Sequence, residues 1–228
     1  MSNPDHLAIA ALVRQAARET VLPRFCNVER RLKPDGSWLT EADLAMQARV
    51  QRELAARFPA IPFLGEEMDE DEQRRLMRHA EQGLWVLDPL DGTSNFAAGL
   101  PIFASSLALI RGGRVVLGVV VDVTRDETFS AALGEGAWLN GVRLRPPTCD
   151  LPLSKALACV DFKRLPPELA TRLAVGAPYG SQRSISSVAL DWCWVAAGRF
   201  HVYLHGRQGL WDYAGGHLIL EEAGGYSC

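Results

Sequence analysis

The sequence predicts an α/β protein, with an α+β first half and a second half in which strands alternate with helices. Two apolar runs flank the tetrapeptide RGGR at residues 111–114, which is a strong signal for an antiparallel hairpin. After residue 150, short apolar runs alternate with helical patterns, and this order is typical of α/β structure. Prolines in segment 144–148 separate the two patterns, so we expect an N-terminal half at 1–146 and a C-terminal half at 147–228.

Two helices are predicted before the first strand. The first begins near Asn3 and Pro4, since asparagine caps helices and proline fits the first turn. The second begins after Thr40, because Thr-Glu-Ala-Asp at 40–43 has the pattern of a capping box. The spaced residues that we expect on one face of this second helix are Leu44, Ala48, Gln51, Leu54 and Phe58.

The remaining segments predict a sheet and then the elements of the second half. In the first half we expect strands at IPFLG, LWVLD (84–88), the two hairpin runs and ETFSAAL, a solvated helix within 68–82, and a glycine-rich turn at GEGAWLNG that extends the sheet. In the second half we expect a strand at ALACV, helices from about Pro167 and over ISSVALDWCWVAAG, a strand at FHVYLHG and a helix beginning at Trp211 and Asp212.

The composition disfavours several classes of protein. The chain has 228 residues, 48% of them hydrophobic and 22% charged, which is an ordinary globular composition. A net charge of −3 without a long basic run disfavours nucleic acid as a partner. The first residues lack the pattern of a signal peptide, and no apolar stretch reaches the ~18 residues of a membrane span. Five scattered cysteines without CxxC spacing indicate reduced thiols, so we expect a cytoplasmic protein without a membrane partner.

Three acidic segments lie where a strand or loop ends. They are Glu66 and Glu67 after IPFLG, Asp88 and Asp91 in DPLDGT, and Asp212 before the last helix. Each segment alone has an ordinary explanation, as surface charge, as a tight turn or as a helix cap. If the segments converge, each close pair of carboxylates repels by roughly 4 kcal/mol at ~4 Å and an effective dielectric constant of about 20. Such a cluster needs cations, and carboxylate oxygens are ligands that Mg²⁺ prefers.

Other catalytic motifs are absent from the sequence. It contains no Walker loop of the form GxxxxGK[ST], no HExxH zinc motif and no GxSxG nucleophile elbow. The five histidines are widely spaced, which disfavours a histidine-based metal site. An oxygen-ligated metal site is therefore the favoured chemistry.

The acidic segments belong to longer motifs that resemble one enzyme family. The motifs GEE, DPLDGTSNF and WDYAGGHLILEEAGG occur in that order, and KPDGSWLTEAD precedes them. Over nearly its whole length the chain is similar to the inositol monophosphatase family of lithium-sensitive, magnesium-dependent sugar phosphatases. The resemblance implies a layered αβαβα sugar-phosphatase fold, here expected to lack the usual C-terminal strand and helix, and it leaves a homodimer open.

The resemblance also implies two Mg²⁺ ions, with a weaker third one near the loop that holds Lys33 and Asp35. Plain loop chemistry is the alternative for these two residues. The implied ligands are Glu66, Asp88 and the Leu90 carbonyl for the first ion, and Asp88, Asp91 and Asp212 for the second.

Roles around the phosphate follow from the same resemblance. Backbone amides of Gly92 and Thr93 would hold the phosphate. Thr93, paired with Asp43, would orient and deprotonate the attacking water, and Glu66 and Glu67 would flank that water. Asp43 is also the last member of the predicted capping box, so a purely structural role stays open.

The substrate contacts depart from the family pattern. Inositol-selective relatives carry a glutamate where this chain has His205, and Gly-Thr-Ala where it has Ser-Ser-Val at 186–188. Ser186, Ser187, His205 and Arg207 would contact the substrate. A histidine donor predicts relaxed selectivity, tilted toward an extra acceptor or negative charge near Arg207. The alternative is that His205 and Arg207 only lie on the rim.

The predicted function is Mg²⁺-dependent hydrolysis of a small phosphate monoester by metal-activated water, with inositol monophosphate as the first choice. The alternative substrates are histidinol phosphate, a sugar phosphate or a 3′-phosphonucleotide, although the Thr-Ser-Asn-Phe that ends the motif argues against the nucleotide. A regulatory binding protein with reduced activity also stays open, since some family members act in transcription complexes.

Overall fold

The computed structural model describes residues 4–27, 30–33, 36, 38–145 and 150–228. Its helices are α1 (His6–Thr20), α2 (Glu41–Arg57), α3 (Glu70–Leu76), α4 (Thr93–Ala97), α5 (Pro167–Val175), α6 (Val188–Ala196) and α7 (Leu210–Glu222). Its strands are β1 (Arg30–Leu32), β2 (Trp38–Thr40), β3 (Phe63–Gly65), β4 (Leu84–Asp91), β5 (Ala104–Arg111), β6 (Arg114–Asp122), β7 (Glu127–Ala132), β8 (Gly136–Leu139), β9 (Val142–Arg143), β10 (Leu157–Val160), β11 (Ser181–Arg183) and β12 (Val202–Leu204).

A seven-stranded mixed sheet forms the centre of the molecule. Its strand order is β3-β4-β5-β6-β7-β8-β9, in which β3 and β4 run parallel and the other pairs run antiparallel. Helices α1 and α2 cover one face, where Val13 and Met46 belong to the same core as Trp85. Helices α6 and α7 cover the other face, where Leu190 and Ile219 share a core with strand residues. Apolar side chains on both faces explain why β4 reads as a continuous apolar run.

A second sheet of three parallel strands, in the order β11-β10-β12, completes the layers. On the side of α6, the Cys159 thiol of β10 donates to Asp191 Oδ1 at 2.9 Å. On the side of α5, Leu173 packs against a cluster that contains Val160. The layers therefore run helix, sheet, helix, sheet, helix, which confirms the predicted αβαβα arrangement.

The predicted hairpin is confirmed, since β5 and β6 pair antiparallel with Arg111 opposite Arg114. The strands and long helices predicted for both halves are also present. The glycine-rich segment forms β8 as well as a turn. The sequence did not predict the short hairpin of β1 and β2, the strand β11 or the helix α4.

The first two helices differ in detail from their prediction. Asp5 caps α1 by accepting from the Leu7 amide at 2.9 Å, whereas the predicted cap, Asn3, lies outside the described residues. In α2, Leu44 is 50% exposed, and Ala48 and Gln51 are exposed too. The residues that α2 buries are Ala42, Asp43, Met46, Val50 and Leu54. The buried face of α2 therefore includes the polar residue Asp43. It is rotated about the helix axis relative to the face that the apolar pattern predicts.

Helix α7 lies directly against the large sheet. A Cβ atom at Gly118 of β6 would lie 2.6 Å from the carbonyl oxygen of Gly215 in α7, so the two backbones meet where neither residue has a side chain. This close packing carries Asp212, in the first turn of α7, toward β4, which α7 also contacts.

Both predicted halves contribute to one core. Helices α6 and α7 come from the C-terminal half, yet they pack on strands of the N-terminal half. The predicted boundary at Pro146 lies outside the described residues. None of the helices in the described ranges combines the length and apolar character that a bilayer crossing requires.

Candidate active site

An irregularity in β4 places two aspartates in one buried site. The pairing of β4 with β5 shifts register between Asp88 and Asp91, which interrupts the alternation of side chains between the two faces of a regular strand. The Pro89 carbonyl accepts from Ser105 Oγ at 2.7 Å, and Asp88 Oδ1 accepts from the Leu90 amide at 3.0 Å. Asp88 and Asp91 are 2% and 8% exposed. Both carboxylates are therefore enclosed by other groups of the protein.

Glu66 and Glu67 follow the neighbouring strand, β3, and two glutamines hold their turn. The Glu66 amide donates to the Leu87 carbonyl of β4 at 3.0 Å. The Glu67 amide donates to Gln47 Oε1 of α2 at 3.1 Å. From α3, Gln73 Nε2 donates to the carbonyl oxygens of Gly65 and Glu66 at 3.1 and 2.9 Å. Because β3 and β4 are parallel neighbours, this turn lies beside the two aspartates.

Asp212 has the structural role that its sequence position indicates, and it also faces the cluster. Its Oδ2 accepts from the Gly209 amide at 2.7 Å, which caps the start of α7. Burial raises the pKa of Asp212 to about 6, and the charge of Glu66 acts in the same direction. Asp212 therefore both caps α7 and belongs to the acidic cluster.

The carboxylates of the site raise one another's pKa values. Burial raises the pKa of Asp88 well above its usual range, and Glu66, Asp91 and Asp212 raise it further. Burial raises the pKa of Asp91 to about 8, with a further contribution from Asp212. Burial and then the charge of Glu66 raise the pKa of Glu67 to about 7. The three acidic segments therefore lie close enough for their charges to interact.

Lys33 extends into this acidic cluster. Its Nζ lies 3.0 Å from Glu66 Oε1 and 2.7 Å from Glu67 Oε1. Burial alone would lower the pKa of Lys33, but the charges of both glutamates outweigh burial and raise it. Asp35, the other loop residue of the sequence prediction, lies outside the described residues.

The donor set fits a hard divalent cation in its chemistry. Every candidate ligand is a carboxylate or carbonyl oxygen, and the raised pKa values show a shortage of positive charge around them. The candidate ligands also accept hydrogen bonds from other protein groups, however. Asp91 accepts from Ser187 Oγ at 2.5 Å and from the Val188 and Ala189 amides at 3.2 and 2.9 Å. Within the described parts of the chain, no three acidic, histidine or cysteine side chains form a ready-made chelate.

Asp43 and Thr93 form the second part of the site. Asp43 is fully buried, and its Oδ2 accepts from the amide and hydroxyl of Thr40 at 2.8 and 2.6 Å, so the predicted capping box is confirmed. Its other oxygen, Oδ1, lies 3.5 Å from Thr93 Oγ1, which donates to the Leu90 carbonyl at 2.8 Å. Burial raises the pKa of Asp43 to about 6, against the hydrogen bonds from Thr40. Gly92 precedes Thr93 at the start of α4.

Two of the predicted substrate residues, Ser187 and His205, are engaged with protein groups. Ser187 is buried and donates to Asp91. His205 Nδ1 accepts from the Arg207 amide at 3.1 Å, and its Nε2 lies 3.5 Å from Asp161 Oδ2. Both ring nitrogens of His205 therefore already have protein partners. Burial also lowers the pKa of His205 from 6.5, so the ring is protonated at a lower pH than a free histidine.

The sequence did not predict the roles of the two glutamines or the backbone conformation of Ser186. Gln47 and Gln73 had no signal, since a glutamine on an exposed helix is ordinary. Ser186 has a φ of 55°, which is left-handed backbone that serine rarely adopts, and it precedes the residues that bind Asp91.

Comparisons with known proteins place this arrangement in a family. The sequence profile described as "Inositol monophosphatase family" matches residues 5–228. An inositol-1-monophosphatase of Rhizobium meliloti is 35% identical over 215 residues, covering 88% of this chain and 75% of that protein. A protein named Nus factor SuhB, from Pasteurella multocida, is 35% identical over 212 residues, covering 89% and 75%.

The fold agrees with the sequence comparison. A solved structure of an IMPase from Thermotoga maritima matches with a TM-score of 0.81 and 30% identity, covering 95% of this chain and 82% of that one. The match spans both sheets and the helices between them, because nearly the whole chain is covered. The chain therefore belongs to the inositol monophosphatase family, whose members are metal-dependent phosphatases.

Proposed function

We propose that the chain hydrolyses a small phosphate monoester with Mg²⁺, two ions at the acidic cluster and a weaker third one near Lys33. Inositol monophosphate is the first substrate to test. The observation that carries this proposal is the group of acidic side chains that lie after β3, on β4 and in the first turn of α7. Burial raises the pKa values of Asp88, Asp91 and Asp212, and the charges of neighbouring carboxylates raise them further. Carboxylates that resist ionisation in the protein alone are suited to a site that gains divalent cations.

The proposed ligands are the groups that the resemblance assigned. Magnesium bound there supplies a lowered pKa of the attacking water and positive charge for the departing alkoxide. The residues that would hold it are Glu66, Asp88, Asp91, Asp212 and the Leu90 carbonyl.

The chain itself would position the water and the phosphate. In the proposed reaction the water oxygen bonds to phosphorus, the bond to the alcohol oxygen breaks, and the alcohol leaves with a proton. Asp43 Oδ1 would accept a hydrogen bond or proton from Thr93, whose hydroxyl orients the water. Backbone amides of Gly92 and Thr93 would hold the phosphate oxygens. Glu67, with a pKa raised to about 7 by burial and by Glu66, would flank the water in either protonation state.

The direct test is phosphate release from a substrate panel with Mg²⁺. The panel contains inositol 1-phosphate, histidinol phosphate, a hexose phosphate and a 3′-phosphonucleotide. Asp88→Asn should lower kcat by at least about a hundredfold, because it removes an anionic ligand from a buried site. Asp71→Asn is the matched control, since Asp71 is 89% exposed on α3 and should leave kcat within twofold of the wild type. Equal activity of both variants would contradict the proposed ligand set.

A second candidate is a regulatory binding protein. It is favoured by the relative named Nus factor SuhB at 35% identity. A wild-type chain that is folded by circular dichroism but releases no phosphate from any panel member, with Mg²⁺ or Mn²⁺, would favour this candidate over the enzyme.

A further inference from the structure

Two exposed arginines lie on adjoining loops next to the acidic cluster. Arg164 ends the short turn Phe162–Arg164 that follows β10, and Arg207 lies between β12 and α7. Both side chains are exposed. Among the described residues, neither guanidinium has an ion-pair or hydrogen-bond partner. By contrast, Arg14 and Arg199 pair with acidic side chains.

The two loops are fixed against each other. Strands β10 and β12 are parallel neighbours, so their carboxyl ends lie at the same edge of the small sheet. The Asp161 amide donates to the Leu204 carbonyl at 3.1 Å. A Cβ atom at Gly206 would lie 2.1 Å from the Arg164 carbonyl oxygen, so the loops meet where no side chain fits. The residue after Gly206 is Arg207, and the two cations are therefore carried by segments in direct contact.

The loop that carries Arg207 leads directly into the active site. The Gly209 amide, two residues after Arg207, donates to Asp212 Oδ2 at 2.7 Å in the first turn of α7. The Arg207 amide itself donates to His205 Nδ1 at 3.1 Å. The two arginines therefore lie on loops that border both a proposed metal ligand and a residue on the proposed substrate side. Both ring nitrogens of His205 are already engaged, Nε2 by the Asp161 carboxylate, so the two guanidinium groups are the donors that this side offers to a ligand.

We propose that Arg164 and Arg207 recognise a second anionic group on the leaving alcohol of the substrate. The substrate class is thus a phosphate monoester of an alcohol that also carries a carboxylate or a further phosphate. Guanidinium groups bind both anions through paired N–H donors, and they discriminate against a neutral hydroxyl at the same place. This inference rests on the proposed phosphatase function and narrows its substrate.

A matched pair of substrates tests the inference. Glycerol 2-phosphate and 2-phosphoglycerate differ in one group, a neutral hydroxymethyl in the first and a carboxylate in the second. With the wild type in saturating Mg²⁺ at about pH 8, where His205 is neutral, kcat/KM should favour 2-phosphoglycerate by about tenfold. Fructose 1-phosphate and fructose 1,6-bisphosphate form a second pair, in which the second anion is a phosphate farther from the reacting one.

Variants assign the preference to the two arginines. Arg164→Gln and Arg207→Gln should each reduce kcat/KM for 2-phosphoglycerate about fivefold, and leave glycerol 2-phosphate within twofold. Lys163→Gln is the control, because Lys163 is exposed on the same turn as Arg164 and loses the same unit charge. It should preserve the preference. Raising the ionic strength should also weaken the wild-type preference, a measurement that needs no variant.

The outcomes separate the two proposals. No phosphate release from any substrate would overturn the phosphatase function itself. Release from both members of each pair at equal kcat/KM would leave that function standing and overturn the anion-recognition inference. A loss of activity toward both members in Arg164→Gln would also overturn it, because the arginine would then act on the reacting phosphate.

Discussion

Asp43 uses its two carboxylate oxygens for different partners. Oδ2 completes the capping box of α2 with Thr40, whereas Oδ1 faces the hydroxyl of Thr93 at 3.5 Å. A residue that only capped a helix would not need to be fully buried beside a second hydroxyl. We therefore expect the two functions to be separable by substitution.

Asp43→Asn should lower kcat by about a hundred- to a thousandfold, because an amide accepts a hydrogen bond but takes up no proton. The Asp43→Asn/Thr93→Ala double variant should be little slower than the slower single variant, since the two residues act as a unit. In the wild type, kcat/KM should fall as pH falls through about 6, because the pKa of Asp43 is raised to that value by burial and protonation removes its acceptor. Stopped phosphate-release assays from about pH 5 to 9 measure this.

Thr40→Ala provides the structural control for this prediction. It removes the hydroxyl that caps α2 and should cost about 1 kcal/mol of unfolding free energy. Because the same hydroxyl donates to Asp43 and lowers its pKa, kcat should stay nearly intact at about pH 8, where Asp43 is ionised, and the fall of kcat/KM should begin at a higher pH than in the wild type. If Asp43→Asn behaved like Thr40→Ala, losing stability and keeping its kcat, Asp43 would be a helix cap alone.

At the residue scale, the motifs predicted the acidic residues but not their surroundings. Glu66 and Asp88 follow apolar runs and Asp212 lies at the start of the last helix, and these positions are visible in a sequence. The partners of His205 were not visible, because they depend on how the loop after β10 packs against the loop after β12. A side chain's free hydrogen-bonding capacity is a property of the folded neighbourhood.

Helix α3 has an unusual place among the elements. It fully buries none of its residues, and only its last residue, Leu76, is known to pack against a core cluster of the described residues, where it is partly buried. It nevertheless contributes Gln73, whose amide donates to the carbonyl oxygens of Gly65 and Glu66. We therefore infer that its contribution is to fix the turn that carries the proposed metal ligand.

Gln73→Leu should raise the Mg²⁺ concentration for half-maximal activity about tenfold, because a group that orients a metal ligand typically affects metal affinity on this scale. The melting temperature should change little, since Gln73 lies on a helix without buried residues. Calorimetric titration with Mg²⁺ measures the affinity independently of turnover. Gln15→Leu on α1, an exposed glutamine that pairs with Glu19, should alter neither quantity. Unchanged Mg²⁺ affinity in Gln73→Leu would refute this role of α3.

Elements with strong local signals were predicted, whereas elements defined by distant partners were not. The hairpin of β5 and β6 has two apolar runs and a glycine turn, so its signal is local. The strand β11 is short and polar, and it exists because it pairs with β10. The prediction that Leu44 lies on the buried face of α2 was wrong, because Leu44 is exposed and its neighbour Asp43 is buried. A hydrophobic pattern assigns carboxylates to the surface, so it could not identify Asp43 as a buried position.

At the scale of the whole molecule, folding assembles the site from segments far apart in the chain. Asp91 and Asp212 approach each other only when α7 packs on the large sheet. Burial and then the charge of Asp212 raise the pKa of Asp91 from 3.8 to about 8. The folded chain alone therefore binds more protons than the unfolded chain between these pH values, and its stability falls as pH rises through that window. Divalent cations at neutral pH would replace those protons.

The most direct test of this account is phosphate release by the wild-type protein after removal of divalent cations. The protein is treated with excess chelator and desalted, and inositol 1-phosphate and 2-phosphoglycerate are then supplied with and without added Mg²⁺. We expect turnover to vanish after chelation and to return with Mg²⁺, together with a higher melting temperature, because the cations hold the acidic cluster together. Turnover that persists at its original rate after complete chelation would contradict the account.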